Sequence, residues 1–174
     1  SGGFSAFNGD STVTLVTAIG GSTAASLVWN DTKWLADGAV FLLGSTKSDS
    51  RLTFTNNIGL DSGTASGGYS PREFRVIDNP NSATDVARLA GLITGSTNAG
   101  FVKSGGGTLE LSQINTYDGG TTVMGGTLAI LSGASIKSVG VVSVASGATL
   151  DVRNGAAIAG GGDVITSGTV IASG

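Results

Sequence analysis

The chain contains no cysteine and no histidine, and these two absences remove a large share of protein chemistry. Disulfides, thiolate nucleophiles, zinc sites built on Cys or His, Ser-His-Asp and Cys-His catalytic groups and histidine pH switches are all excluded. Proline occurs only twice in 174 residues, at Pro71 and Pro80, aromatic residues make up 6% and charged residues 12%. With 9 basic and 12 acidic residues the net charge is -3 and the pI about 4.6, so nothing steers the chain toward nucleic acid or an anionic lipid surface. The longest uninterrupted apolar run, Ala39-Val40-Phe41-Leu42-Leu43, falls far short of the ~20 residues of a membrane-crossing helix. No nucleic-acid partner and no membrane insertion of this chain are expected. The sequence starts at Ser1 with no basic-then-apolar leader, which fits either removal of a signal segment or an excised piece.

What is abundant is small and β-forming. There are 30 Gly, 22 Ser and 20 Thr, yet 40% of the residues are hydrophobic and the mean hydropathy is +0.27, which argues for a folded core rather than a disordered linker. The C-terminal half repeats itself. A Gly, a Thr and an alternating apolar strand recur at Gly107-Thr108-Leu109-Glu110-Leu111, Gly126-Thr127-Leu128-Ala129-Ile130, Gly147-Ala148-Thr149-Leu150-Asp151-Val152 and Gly168-Thr169-Val170-Ile171, with leading apolar positions 19, 22 and 20 residues apart. A second series, Thr122-Val123, Val142-Ser143-Val144 and Val164-Ile165, runs in phase between them, giving two short strands per repeat.

That pattern predicts an all-β fold, a right-handed parallel β-helix (β-solenoid). One coil is too thin to bury its own inward side chains, so equivalent strands of successive coils must stack about 4.8 Å apart around a shared interior. Gly supplies corners and Thr, Val, Ile and Leu suit the pleated surface. The expectation is a single solenoid domain over residues 1–174, with about eight coils of roughly 20 residues and a rod on the order of 40 Å long. Leu109, Leu128 and Leu150 should then form one inward file.

Residues 1–100 are less regular than 101–174. Strand-like pieces occur at 13–16, 26–29, 39–42, 51–54 and 73–76, and Phe54 and Phe74 are again 20 residues apart. This half carries 14 of the 21 charged residues, both Trp and both Pro, which predicts longer loops or lateral decoration. The stretch 84–93 has too few turns for a helix and reads as strand plus corner at Gly91.

Lys103-Ser104-Gly105-Gly106-Gly107-Thr108-Leu109-Glu110-Leu111-Ser112, followed by Asn115-Thr116-Tyr117-Asp118-Gly119-Gly120-Thr121-Thr122-Val123-Met124-Gly125-Gly126-Thr127-Leu128, resembles the autotransporter-associated β-strand repeat of bacterial surface and secreted proteins. Ser143 to Val152 is similar to the coil that often follows it, and Leu52 to Ile58 to coils that precede it. The resemblance implies an extracellular or cell-surface β-helix of the passenger kind, an adhesive, structural or spacer element rather than an enzyme. It carries over no catalytic residue. Such repeats usually precede a C-terminal outer-membrane barrel. The lipid-facing strands and aromatic girdles of a barrel are missing here, so the barrel lies elsewhere or the solenoid works alone.

Several constellations invite chemical readings. Gly105-Gly106-Gly107 lacks the Gly-Lys-Ser/Thr ending of a phosphate loop and leads into a strand, so it reads as a corner. Gly160-Gly161-Gly162-Asp163-Val164 is a lone variant of a calcium nonapeptide that works only in tandem, and reads as a turn. Asp61, Arg72, Glu73, Arg75, Asp78 and Asp85 are candidates for a polysaccharide-processing groove. Against that, period-two geometry puts Glu73 and Arg75 on one face and Arg72 on the other, which favours an ion pair on a solvated face. Asp10, Asp31, Asp37 and Asp49 are scattered among turn residues. Trp29 and Trp34 flank Asn30-Asp31-Thr32-Lys33 and either stack on sugars or plug the N-terminal end of the interior, the plug being favoured.

No catalytic, cofactor-binding or metal-binding residue is assigned, and no cofactor is expected. The last residues, Gly168 to Gly174, read as an ordinary coil without a charged or helical cap, which leaves a piece of a longer passenger or docking onto the N-terminus of another copy. The function expected is a structural or adhesive module of a bacterial surface or secreted protein, self-associating through its ends into an oligomer or fibre. The alternative is a polysaccharide-binding or polysaccharide-processing β-helix, with surface glycans as partners.

Overall fold

Alternating strands of two to five residues throw their side chains to opposite faces and enclose an interior only when like strands stack. In the computed structural model, which describes residues 2–30, 34–61, 71–96 and 99–173, they stack on three faces. The first runs in the order β1 (Gly2–Phe4), β4 (Val40–Leu43), β7 (Arg72–Val76), β10 (Phe101–Ser104), β12 (Thr121–Val123), β15 (Val142–Val144) and β18 (Val164–Thr166). The second runs β2 (Ser11–Val13), β5 (Leu52–Phe54), β8 (Ala87–Leu89), β11 (Thr108–Leu111), β13 (Thr127–Ile130), β16 (Thr149–Arg153) and β19 (Thr169–Ser173). The third holds β3 (Leu27–Val28), β6 (Ile58–Gly59) and β9 (Ile93–Thr94), then β14 (Ser135–Ile136) with β17 (Ala157–Ile158).

All the paired strands are parallel, and no helix occurs among the described residues. The fold is a parallel β-solenoid. Leu52, Ala87, Leu109, Leu128 and Leu150 form one inward file and Phe54, Leu89, Leu111, Ile130 and Val152 the next. Leu109, Leu128 and Leu150 are each 0% exposed, and burial of each stabilises the stack by about 1.5–3 kcal/mol over leaving it in water.

The structure departs from the two-strand repeat by adding the third face. Its strands are two residues long, too short for a period to show. The N-terminal coils are also longer than twenty residues: Gly2 pairs with Phe41 and Phe41 with Phe74, whereas Phe101, Thr121, Val142 and Val164 follow one another. Phe54 and Phe74 do not mark a repeat, because Phe54 pairs with Leu89 on the second face and Phe74 with Phe41 and Lys103 on the first. The segment 84–93 is strand, corner and strand, as β8 and β9.

Residues 15–25 leave the first coil and return through an antiparallel bridge between Val16 and Ala24, with Ile19 exposed on the turn. Asn56 and Asn115 hold corners from inside. The Asn56 amide donates to Leu15 O at 2.7 Å and Ala25 O at 2.8 Å, and Asn115 Oδ1 accepts the Ile93 N–H at 2.9 Å. Aromatic rings form a spine: Phe41 lies 5.1 Å from Phe54, Trp29 5.2 Å from Phe74, Phe74 4.7 Å from Phe101 and Phe101 5.6 Å from Tyr117.

Candidate functional site

Alternation along β7 turns Arg72 inward with Phe74 and Val76 and leaves Glu73 and Arg75 outside. Arg72 is fully buried. Its guanidinium pairs with Asp37, donates from Nε to Leu60 O at 2.5 Å and lies 5.8 Å from the Trp29 ring centroid. Outside, Glu73 Oε1 accepts Arg75 Nη2 at 2.7 Å and the Ser104 hydroxyl at 2.5 Å. Burial raises the Glu73 pKa, but the Ser104 and Arg75 bonds outweigh it and hold the carboxyl below its usual value.

The remaining candidate carboxylates lie apart from one another. Asp61 accepts the Ser96 N–H at 2.8 Å and also its hydroxyl, while Asp85 accepts the Asn79 N–H at 2.7 Å. Asp78 is exposed beside Gly106. Asp10 takes the Arg51 N–H at 2.9 Å and Asp49 the Asn8 N–H at 2.6 Å; Asp31 lies outside the described residues. Paired-carboxylate hydrolysis needs two carboxyls facing one bond, and the structure does not bring these residues together in a groove. Asp163 is exposed after Gly160 and Gly161, whose positive φ values of 104° and 77° make the turn. Among the described residues no group of three or more metal-ligating side chains gathers.

Trp29 is fully buried, its indole N–H donating to Ala36 O at 3.2 Å. It is closed off from any sugar. Trp34 packs edge-on against Trp29 at 5.2 Å and Phe41 at 5.4 Å. It also lines an open cleft of about 720 Å³ with Thr14, Leu15, Thr17, Leu27 and Val28. Both rings therefore close the N-terminal part of the interior, and only Trp34 offers an edge to the cleft.

The glycine corner after β10 does the opposite of a phosphate cradle. Lys103 occupies an inward position between Phe74 and Val123, and its ammonium donates to the carbonyl oxygens of Ser104, Gly105 and Gly125 at 2.8, 2.9 and 2.9 Å. Carbonyls, not N–H groups, converge there, so the corner holds a cation of the chain itself. Burial pushes the Lys103 pKa down to about 7, with the Asp78 charge acting against it. Tyr117 is buried beside Thr121, its hydroxyl 2.9 Å from Thr121 Oγ1, and burial raises its phenol above the ordinary range.

Glu110, which the sequence offered only as part of a strand, is the most connected charge of the second face. It is 3% exposed, bonded to Arg88 at 2.7 Å and Arg153 at 3.1 Å, with Arg51 at 3.8 Å. The available signal was register, since Arg88 and Glu110 stand one coil apart at the same strand position.

Residues 101–130, the coil built around Lys103, Asn115 and Tyr117, match the family model of the passenger-associated-transport-repeat. The chain carries an autotransporter passenger repeat. Such a repeat is an extracellular or cell-surface element, and this chain is extracellular or at the cell surface. Over 70 residues the chain is 44% identical to the adhesin BmaC autotransporter of Brucella suis biovar 1 (strain 1330), an alignment covering 38% of this chain and 2% of that protein. The chain thus spans a small fraction of the length of the curated relative it matches. No solved structure matches the chain.

Proposed function

We propose that this passenger repeat chain is an adhesive and structural module of a bacterial surface protein. The observation that carries the reading is the combination of a passenger repeat with an uninterrupted inward file from Leu52 to Leu150. Such stacking fills the inside with packing and leaves the outward files as display surface. Similarity to a protein named an adhesin supports the adhesive part. The dispersal of Asp61, Glu73 and Asp85 among separate partners, with Asp78 exposed apart from them, supports a non-enzymatic role. Beads coated with the purified chain should bind host-cell or matrix-coated surfaces above albumin-coated beads; binding equal to albumin on every surface would overturn the adhesive reading.

End-to-end self-association is the finer form of this proposal. On β18 and β19 the inward positions Val164 and Val170 are exposed, and so are Ile165 and Ile171, at outward positions that hold Ser143 and Asp151 one coil earlier. Strands apolar on both faces belong in covered environments. Assembly that grows with concentration in sedimentation or electron microscopy, and is lost in Val164→Asp/Val170→Asp, is expected. Monomers at every concentration would sink it. Glycan binding rests on the cleft that Trp34 lines together with Thr14 and Thr17, because an exposed aromatic edge beside polar groups suits a sugar. A glycan array on which no ligand depends on Trp34 would reject it.

A further inference from the structure

We propose that Glu110 is a clamp across coils that makes the second face open as one unit from β8 to β16 instead of fraying strand by strand. The inference concerns the fold itself, so failure of the adhesive reading would leave it standing.

Thr53, Arg88, Glu110, Ala129 and Asp151 stand in one outward file on successive strands. Neighbouring members are about 4.8 Å apart, so a ligand two strands away is within reach of a long side chain only if nothing stands between. Arg88, one strand before, makes two bonds to Glu110 Oε2, from Nε at 2.8 Å and Nη2 at 2.7 Å. Arg153 comes from β16, two strands beyond, and reaches Oε1 at 3.1 Å while its Nε bonds Asp151 Oδ2 at 3.0 Å. Arg51, just before β5 and two strands in the other direction, adds its charge at 3.8 Å and is itself tied to Asp10.

Ala129 makes the long reach feasible. It is the smallest side chain of this file, stands in register between Glu110 and Asp151, and is 0% exposed although it faces outward. A larger residue at 129 would stand in the path of Arg153. The group is also neutral, three carboxylates (Asp10, Glu110, Asp151) against three guanidiniums, so its charges are engaged with one another. The carboxylate of Glu110 is buried while its partners stay 30 to 40% exposed. Withdrawal of any one arginine therefore leaves a desolvated charge under-compensated, which couples the strands that supply the arginines.

In a solenoid each coil otherwise touches only its neighbours, and opening starts at an end and moves inward one coil at a time. A link that skips a strand changes that pattern. The test is amide hydrogen exchange on the full chain with Glu110→Gln, Ala129→Leu and the double variant. Glu110→Gln is expected to speed exchange in β8 and β16 together, by about tenfold or more. Ala129→Leu, which keeps every charge, is expected to speed β16 and spare β8, and adding Glu110→Gln to it should have little further effect on β16. Should Glu110→Gln fail to fold, Ala129→Leu alone decides. Unchanged exchange in β16 with Ala129→Leu, or additive effects of the two changes there, would overturn the clamp.

Discussion

The interior before and after Tyr117 is built on the same stacked strands with different fillings. Toward the N-terminus Phe41, Phe54, Phe74, Phe101 and both Trp rings interlock, the coils are long, and Arg72 and Lys103 are buried among them. Beyond Tyr117 the filling is Leu, Ile, Val and Ala in coils of about twenty residues, and no described residue after Leu150 is buried. An aromatic spine buries more area per strand and resists local opening, whereas a thin aliphatic column gains its stability from repetition. The two ends should therefore respond unequally to equivalent changes.

The largest contrast is expected from core truncations. Phe74→Ala, which removes the ring stacked on Phe101, should cost about 3–5 kcal/mol, while Val170→Ala at the far end should fall within about 0.5 kcal/mol of the parent. Urea unfolding midpoints check this, and equal losses at both positions would dissolve the contrast. Next come the corners. Gly126 has φ of 61° and a Cβ there would lie 2.4 Å from Gly107 O, whereas Gly133, with φ of 76°, has open space around it. Gly133→Ala should cost the ~1–2 kcal/mol of a left-handed alanine, and Gly126→Ala clearly more, by the same unfolding measurement.

A pH-dependent effect concerns Lys103, whose folded pKa of about 7 lies below its ordinary 10.5. Between those values the unfolded chain binds the proton and the folded chain does not, so stability should rise with pH from about 7 to about 10, by at most ~1.4 kcal/mol per unit. The three carbonyl acceptors favour the ammonium form and so narrow that pH window from below. Thermal melts across this range should show the rise in the parent and its loss in Lys103→Met, which also leaves the carbonyl cage without its donors. The smallest effect is at Glu73→Gln, an outward ion pair, where less than about 1 kcal/mol is expected. With its folded pKa lowered, the Glu73 contribution is present above its ordinary range and fades as pH falls through the folded value; melts at acid and neutral pH compare the two.

Legibility follows the same division. The Gly-Thr-Leu repeat displayed the file of Leu109, Leu128 and Leu150 directly, because a coil of constant length keeps equivalent residues at constant spacing. In the N-terminal half the excursion at 15–25 and the longer coils shift the spacing, and the interval from Phe54 to Phe74 crossed from one face to another. The opposed directions of Arg72 and Glu73 were readable from alternation alone. That Arg72 would be buried was not, since its partner Asp37 comes from a distant turn. Glu110 was hidden for a related reason: its three arginines are near only after the coils have stacked.

The most direct test of in-register stacking uses the absence of cysteine. Thr108 and Thr127 are paired outward positions of β11 and β13, about 4.8 Å apart, within the span a disulfide bridges. Under mild oxidation Thr108→Cys/Thr127→Cys should form the bond readily, while Thr108→Cys/Leu128→Cys, one residue out of register and pointing to the opposite face, should not. Equal cross-linking of both pairs, or bonding only in the offset pair, would contradict the stacked solenoid.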